Sequence, residues 1–272
     1  MTTLALPHPD KLLFPAVGVT RRQLAEYYAA VAPCLLRAAK DRDLTVIRWP
    51  DGIEGVRFYQ KHAADGGSIR LMGEDDLMRW TGWGAIEWHA PLGPRETPGV
   101  HDTAVMDLDP GPGLGWPAVT EAAGAVAALL DLLKVPFLLK TSGRRGIHFY
   151  IHVLPTPCQL VTALMARLAQ VLADSLPDQL TVARYKRDRG HRIYLDYLQN
   201  TAGRTMAMAY SVRAVPSALV SAPIRRTEIG IAPSRWTMAA VLARLQREGN
   251  LFDWQHDPVP LRERLTAKGL GV

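Results

Sequence analysis

Apolar residues recur at two different periods along the chain. In residues 20–40 (TRRQLAEYYAAVAPCLLRAAK), Leu24, Tyr27, Tyr28 and Val31 fall at helical spacing, with Thr20 placed as an N-cap. Pro33 is expected to kink or split that helix. Residues 44–49 (LTVIRW) read as a strand ended by the Pro-Asp-Gly turn at 50–52, and 56–61 as its return. Residues 84–89 read as a short strand and 91–99 as a Pro/Gly-rich loop. A more regular block follows: a strand at 103–108, a Pro-Gly break, and an Ala/Leu-rich helix at 116–133. Next come a strand at 137–141, a Gly/Arg turn at 142–146, a strand at 147–153 and a helix at 160–176. Strands are expected at 192–197 and 205–212, and a last helix at 236–248. Alternating strands and helices predict an α/β (α+β) architecture with helices packed on a sheet.

Composition narrows the class. Apolar residues make up 48% and charged residues 21%, enough for a buried core and against wholesale disorder. The 272 residues suit one large domain or two closely packed lobes. Cys34 and Cys158 are far apart and belong to no Cys/His cluster, which excludes a disulfide scaffold and argues against structural zinc. No apolar run reaches the roughly 18 residues of a membrane span, and the first residues lack a signal-peptide pattern, so a cytoplasmic location is expected. The net charge is +6, and only seven of the 32 Lys+Arg are lysine. Arginine's planar fork suits phosphate, which brings nucleic acid into consideration beside plain compositional bias.

Three segments carry candidate chemistry. Asp107 and Asp109 end the strand AVMDLD, where residues i and i+2 share a face. Two such carboxylates suit a hard divalent cation, and equally a solvated strand end. Asp196 lies in the apolar pattern RIYLDY and offers a third ligand, or an outward-facing acid paired with a nearby arginine. The segment TSGRRGIH (141–148) joins strand to strand through a Gly-bounded turn bearing Arg144 and Arg145, with Ser142 and His148 as further donors. It fits a phosphate grip or a basic surface hairpin.

Taken in chain order, AVMDLDPG, TSGRRGIHFYI, IYLDYLQN and AYSVRAVP resemble the primase-polymerase superfamily. They are closest to the polymerase domain of bacterial ligase D, the end-joining repair enzyme. DKLLFP (10–15), RWPDG (48–52), FYQK (58–61) and EGNLF (248–252) extend the resemblance over nearly the whole chain. It implies a single primase-polymerase domain over 1–272, with central mixed or antiparallel sheets flanked by helices around a catalytic cleft. Approximate lobes are a DNA-contacting 1–100, a catalytic core 101–235 and a helical extension 236–272.

The resemblance also implies roles. Asp107, Asp109 and Asp196 match the metal-binding carboxylates, for two Mn²⁺ or Mg²⁺ ions. Ser142, Arg144, Arg145 and His148 match positions along the triphosphate, and His89, Gln199 and Arg213 further nucleotide-side positions. Lys61, Lys11, Arg21 and Arg22 match basic positions on DNA phosphate, including a 5′-phosphate at a gap. Phe58 and Tyr59 are candidates for stacking on a template base, with one of them equally suited to the core.

The implied activity is transfer of NTPs or dNTPs to a primer 3′-hydroxyl, in gap filling or end processing of DNA breaks. Starting chains de novo as a primase, and binding DNA ends without catalysis, are the alternatives. The chain departs from the family at Arg145, where lysine is usual and SGRRG looks like the small subunit of archaeal and eukaryotic primases. It departs again after His89, where Ala-Pro stands for Pro-Trp. No Lys-x-Asp-Gly ligase motif is present, so a ligase and Ku are expected as separate chains. A nucleoid-associated monomer is expected.

Overall fold

The structure is a computed structural model, and it describes residues 6–272. The N-terminal reading of residues 1–5 lies outside the described residues. In chain order the elements are β1 (Leu12–Phe14), β2 (Val19–Thr20), α1 (Arg21–Ala39), β3 (Thr45–Arg48), β4 (Phe58–Gln60), α2 (Glu74–Gly82) and β5 (Ala85–Ala90). Then come β6 (Val100–Pro110), α3 (Trp116–Leu132), β7 (Leu138–Thr141), β8 (Ile147–Pro157), α4 (Cys158–Ser175), β9 (Leu180–Thr181) and α5 (Lys186–Arg189). The last are β10 (Ile193–Asp196), β11 (Met206–Ala207), β12 (Pro223–Ile224), α6 (Met238–Glu248) and α7 (Leu261–Thr266). Among the described residues no helix is long and apolar enough to cross a membrane.

The chain divides into two compact units, each drawn from separate stretches of sequence. The first comprises the chain up to Pro91 with Thr205–Ala222 and Pro233–Leu251; the second comprises Leu92–Arg204, Pro223–Ala232 and Phe252–Val272. These divisions do not coincide with contiguous lobes cut near residues 100 and 235.

The first unit holds an antiparallel sheet in the order β11-β5-β3-β4. Helix α1 starts in a capping box: Gln23 N donates to Thr20 Oγ1 at 3.3 Å, and Thr20 N to Gln23 Oε1 at 2.8 Å. Helix α1 is not split at Pro33 and runs on to Ala39. Val31 and Leu35, on either side of the proline, are fully buried in one apolar stripe. Burial of such side chains, about 2 kcal/mol each, offsets the roughly 3 kcal/mol penalty of an interior proline. The expected strand at 205–212 shrinks to Met206–Ala207. Ser211 N turns back to Met208 O and Tyr210 takes a positive φ of 67°, so the backbone leaves the sheet.

The second unit is built on a six-stranded mixed sheet, β12-β7-β8-β6-β10-β9, with β9–β10 the parallel pair. Helices α3 and α4 pack against it. Its topology explains the site. Helix α3 carries the chain from β6 over to β7, which runs parallel to β6 but two places away. The vacant lane between them is filled by β8, which must therefore reverse tightly out of β7. The turn 142–146 makes that reversal, and β8 begins with Ile147 opposite Leu108. The Gly/Arg turn is thereby delivered to the end of β6 where Asp107 and Asp109 stand.

Candidate active site

One cross-strand row dominates the second unit. Lys140 on β7 pairs in register with His148 on β8, His148 with Asp107 on β6, and Asp107 with Asp196 on β10. Register partners on adjacent strands present side chains to the same face, and Asp109 joins that face two residues along β6. Asp107, Asp109 and Asp196 each place a carboxylate oxygen within 4.8 Å of the others. Asp107 is buried, Asp196 half-buried and Asp109 exposed.

Three carboxylates this close disfavour their own ionisation. Asp109 is pushed up to about 7 by desolvation and then by the charges of Asp107 and Asp196, while Arg189 and Lys186 pull it down. Asp196 is raised too, by desolvation and Asp107, against hydrogen bonds that favour its charged form. Those bonds come from Tyr194 Oη (3.1 Å), Leu198 N (3.1 Å) and Gln199 Nε2 (2.8 Å). An all-oxygen donor set under mutual repulsion fits a hard divalent cation, which removes the repulsion it fills.

An acid whose folded pKa is raised destabilises the fold once ionised. The cost is full above about pH 7 and fades as pH falls toward the ordinary 3.8. Asp109→Asn is thus expected to raise the metal-free melting temperature at pH 8. Discounted for exposure, the gain is about 1 kcal/mol, or roughly 2–4 °C. It should shrink between pH 7 and pH 4, and melts in EDTA at pH 8, 6 and 4 read it directly.

The turn beside the triad is internally organised. Ser142 Oγ accepts from Arg144 N at 3.1 Å and Gly146 N at 3.0 Å, and Ser142 N donates to Gly146 O at 2.9 Å. Gly143 takes a φ of 68°, which favours glycine. Arg144 and Arg145 are both exposed. Arg145 Nη2 donates to the carbonyls of Gly111 (3.2 Å) and Leu114 (2.9 Å), tying the turn to the loop after β6. His148 Nε2 lies 3.2 Å from Asp107 Oδ1, and Lys140 Nζ, with no exposure, lies 2.7 Å from His148 Nδ1.

In the first unit, His89 and Arg213 are brought together by a residue the sequence reading did not single out. Glu87 Oε2 lies 3.0 Å from His89 Nε2 and 3.3 Å from Arg213 Nε, and its Oε1 accepts from Ala214 N at 2.9 Å. Burial alone would raise this carboxyl. The bond from His89, the Arg213 charge and the Ala214 amide hold it well below the usual range instead.

Phe58 and Tyr59 lie on β4, at the sheet edge, and both are exposed, so neither serves the core. Lys61 follows them, exposed, with Nζ 6.0 Å from the Tyr59 ring centre. Lys11 pairs with Asp51, and Arg22 with Asp10 at 3.0 Å. Arg21 is a correction. It is only 3% exposed, and its guanidinium donates to the carbonyls of Pro7 (2.7 Å) and Pro50 (2.8 Å). That is a structural tie, closed to a phosphate. Gln199 Nε2 donates to Asp196 Oδ2, which sets its amide beside the acidic triad.

The sequence model of the family described as "LigD, primase-polymerase domain" matches residues 20–75 and 68–252. The chain belongs to that family. The multifunctional non-homologous end joining protein LigD of Pseudomonas aeruginosa is 32% identical over 290 residues, covering 96% of this chain and 34% of that protein. The bifunctional LigD of Bacillus subtilis is 28% identical over 267 residues, covering 92% and 44%. The chain therefore spans less than half the length of either relative. The polymerase domain from Mycobacterium tuberculosis ligase D, solved in complex with DNA, superposes with a TM-score of 0.85 at 28% identity, covering 92% of this chain and 97% of that one.

As a LigD primase-polymerase domain, the chain is a nucleotidyltransferase of the polymerase type, which implies use of a divalent cation. The acidic triad offers three carboxylates of the kind such a cation uses. Beside it, the LigD-type motifs alone left two residues unmarked. Lys140 is an ionisable residue inside the apolar strand LLKT, and Glu87 sits two positions before His89 on the same strand face. Both signals were present in the sequence: an ionisable residue in a strand that periodicity requires to be buried.

Proposed function

We propose that this chain adds nucleotides to a primer 3′-hydroxyl in a metal-dependent reaction, in gap filling or end processing of broken DNA. The observation that carries this is the convergence of Asp107, Asp109 and Asp196 on one sheet face, beside a turn bearing two arginines. Similarity to end-joining proteins, and to a polymerase domain solved with DNA, supports the substrate class.

In this reading the three aspartates hold two Mg²⁺ or Mn²⁺ ions. When bound, the ions favour deprotonation of the primer hydroxyl and offset charge on the triphosphate and departing pyrophosphate. Ser142 keeps the turn closed through its two accepted amide bonds, so Arg144 and Arg145 meet the triphosphate from a fixed backbone. His148 stands at the same face beside the triphosphate, and Gln199 orients Asp196. His89 and Arg213 contact the incoming nucleotide, both fixed by Glu87. Lys11, Arg22 and Lys61 contact DNA phosphate, while Phe58 and Tyr59 stack on template bases.

Extension of a gapped duplex with Mn²⁺ tests the reaction. Arms with NTP or dNTP, with and without a 5′-phosphate across the gap, read sugar choice and phosphate recognition. A primer-free arm detects priming: dinucleotide products would show a primase, and extension only with a primer a gap-filling enzyme. Contacts from Lys11, Arg22 and Lys61 alone imply roughly a 10–100-fold loss of DNA affinity between 50 and 200 mM salt. Fluorescence anisotropy against salt reads that slope, and a flat response would rule out backbone contacts as the main attraction.

A further inference from the structure

Lys140 is a lysine with no solvent exposure, set in the sheet one strand beyond His148. Burying an ammonium costs several kcal/mol unless close partners offset it. Its Nζ lies 2.7 Å from His148 Nδ1 and 5.4 Å from the centre of the Tyr150 ring, which shares its face two residues along β8. Phe252 packs edge-on against Tyr150 at 5.0 Å, closing that side.

Held as an ammonium, Lys140 donates and cannot accept, and His148 Nδ1 is then the acceptor. The ring hydrogen is then on Nε2, which faces Asp107 Oδ1 at 3.2 Å, an ion-pair distance rather than an aligned hydrogen bond. The series Lys140, His148, Asp107 follows the strand register, so the geometry is fixed by the sheet rather than by a flexible loop.

We propose that Lys140 is the positioning residue of the acidic triad: by donating to Nδ1 it holds His148 as the Nε2–H tautomer, which steadies the Asp107 carboxylate as a cation ligand. This rests on the metal-dependent reading above. Outer partners of ligands act in this way, and losing one typically weakens metal binding or activity about 10–100-fold.

The tautomer can be read on the metal-free full chain labelled with 15N-histidine. Wild type is expected to show a pyridine-type nitrogen at Nδ1 and a pyrrole-type nitrogen at Nε2 of His148. The reverse pattern overturns the proposal without any variant being made. In Lys140→Met the tautomers are expected to mix, and Mn²⁺ affinity, read by the EPR signal of free Mn²⁺, to fall about 10-fold or more. The kcat for extension should fall with it, while KM for the primer-template stays as in wild type. The melting temperature should hold or rise, because an apolar side chain of similar length replaces a buried charge. A lower melting temperature with unchanged tautomer and unchanged Mn²⁺ affinity would make Lys140 a packing residue and overturn the proposal. If wild type itself neither binds Mn²⁺ nor extends a primer, the proposed function falls, while the His148 shifts still decide the role of Lys140.

Discussion

Alanine at both Asp107 and Asp109 is expected to abolish primer extension while leaving the protein folded. The two acids contribute two of the three carboxylates that meet within 4.8 Å. Cation stabilisation of transferring phosphoryl charge is worth several kcal/mol, and about 4 kcal/mol corresponds to a rate loss near 10³-fold. The fold should not suffer in step. Desolvation and repulsion among the three carboxylates are costs of the metal-free state, and together they push Asp109 up to about 7. Removing two of the acids relieves both. The double variant should therefore melt no lower than wild type in EDTA and lose the stabilisation that Mn²⁺ gives to wild type. Gapped-duplex extension and thermal melts with and without Mn²⁺ check both halves. Extension at the wild-type rate would end the assignment of these acids to catalysis.

Gly146→Ala is expected to be the most damaging single methyl group near the site. A Cβ there would sit 2.3 Å from the carbonyl oxygen of Leu108 and 3.4 Å from its carbon. Those atoms are backbone, so no rotamer change relieves the clash. Overpacking of this kind costs about 2–4 kcal/mol, a melting-temperature fall of roughly 5–10 °C. The damage should also reach activity, because Leu108 lies between Asp107 and Asp109. Any shift that admits the methyl moves the acidic pair, and displacements near 1 Å can cost on the order of 10²-fold in rate. Gly124→Ala is the contrast. Gly124 is exposed within α3, and a Cβ there meets nothing within 4 Å. That substitution is expected to stabilise by about 0.5–1 kcal/mol. Parallel melts of the two variants would separate close backbone approach from glycine loss in general.

Local pattern set the regular elements. The helical spacing of Leu24, Tyr27, Tyr28 and Val31 with the Thr20 cap marks α1, and the Ala/Leu stretch after Gly115 marks α3. The short helix α2 (Glu74–Gly82) went unmarked, since nine residues after a glycine offer little periodicity. At Pro33 and in the 205–212 segment, local propensity was outweighed by partners distant in sequence. Buried neighbours hold α1 together, and Tyr210 pairs through its amide with Ser221 O, away from the strand path.

For the site, sequence alone determined the residue types. DLD, SGRRGIH and IYLD name the acids, arginines and histidine, because their chemistry and order survive any packing. Register was the business of the tertiary structure. Asp196 lies 89 positions beyond Asp107, and only the antiparallel pairing of β10 with β6 makes them neighbours. Strand pairing likewise placed Lys140 beside His148, and packing of loops distant in sequence closed Arg21 onto two carbonyls. Which atom a polar side chain faces depends on strands distant in sequence, and local periodicity carries no information about them.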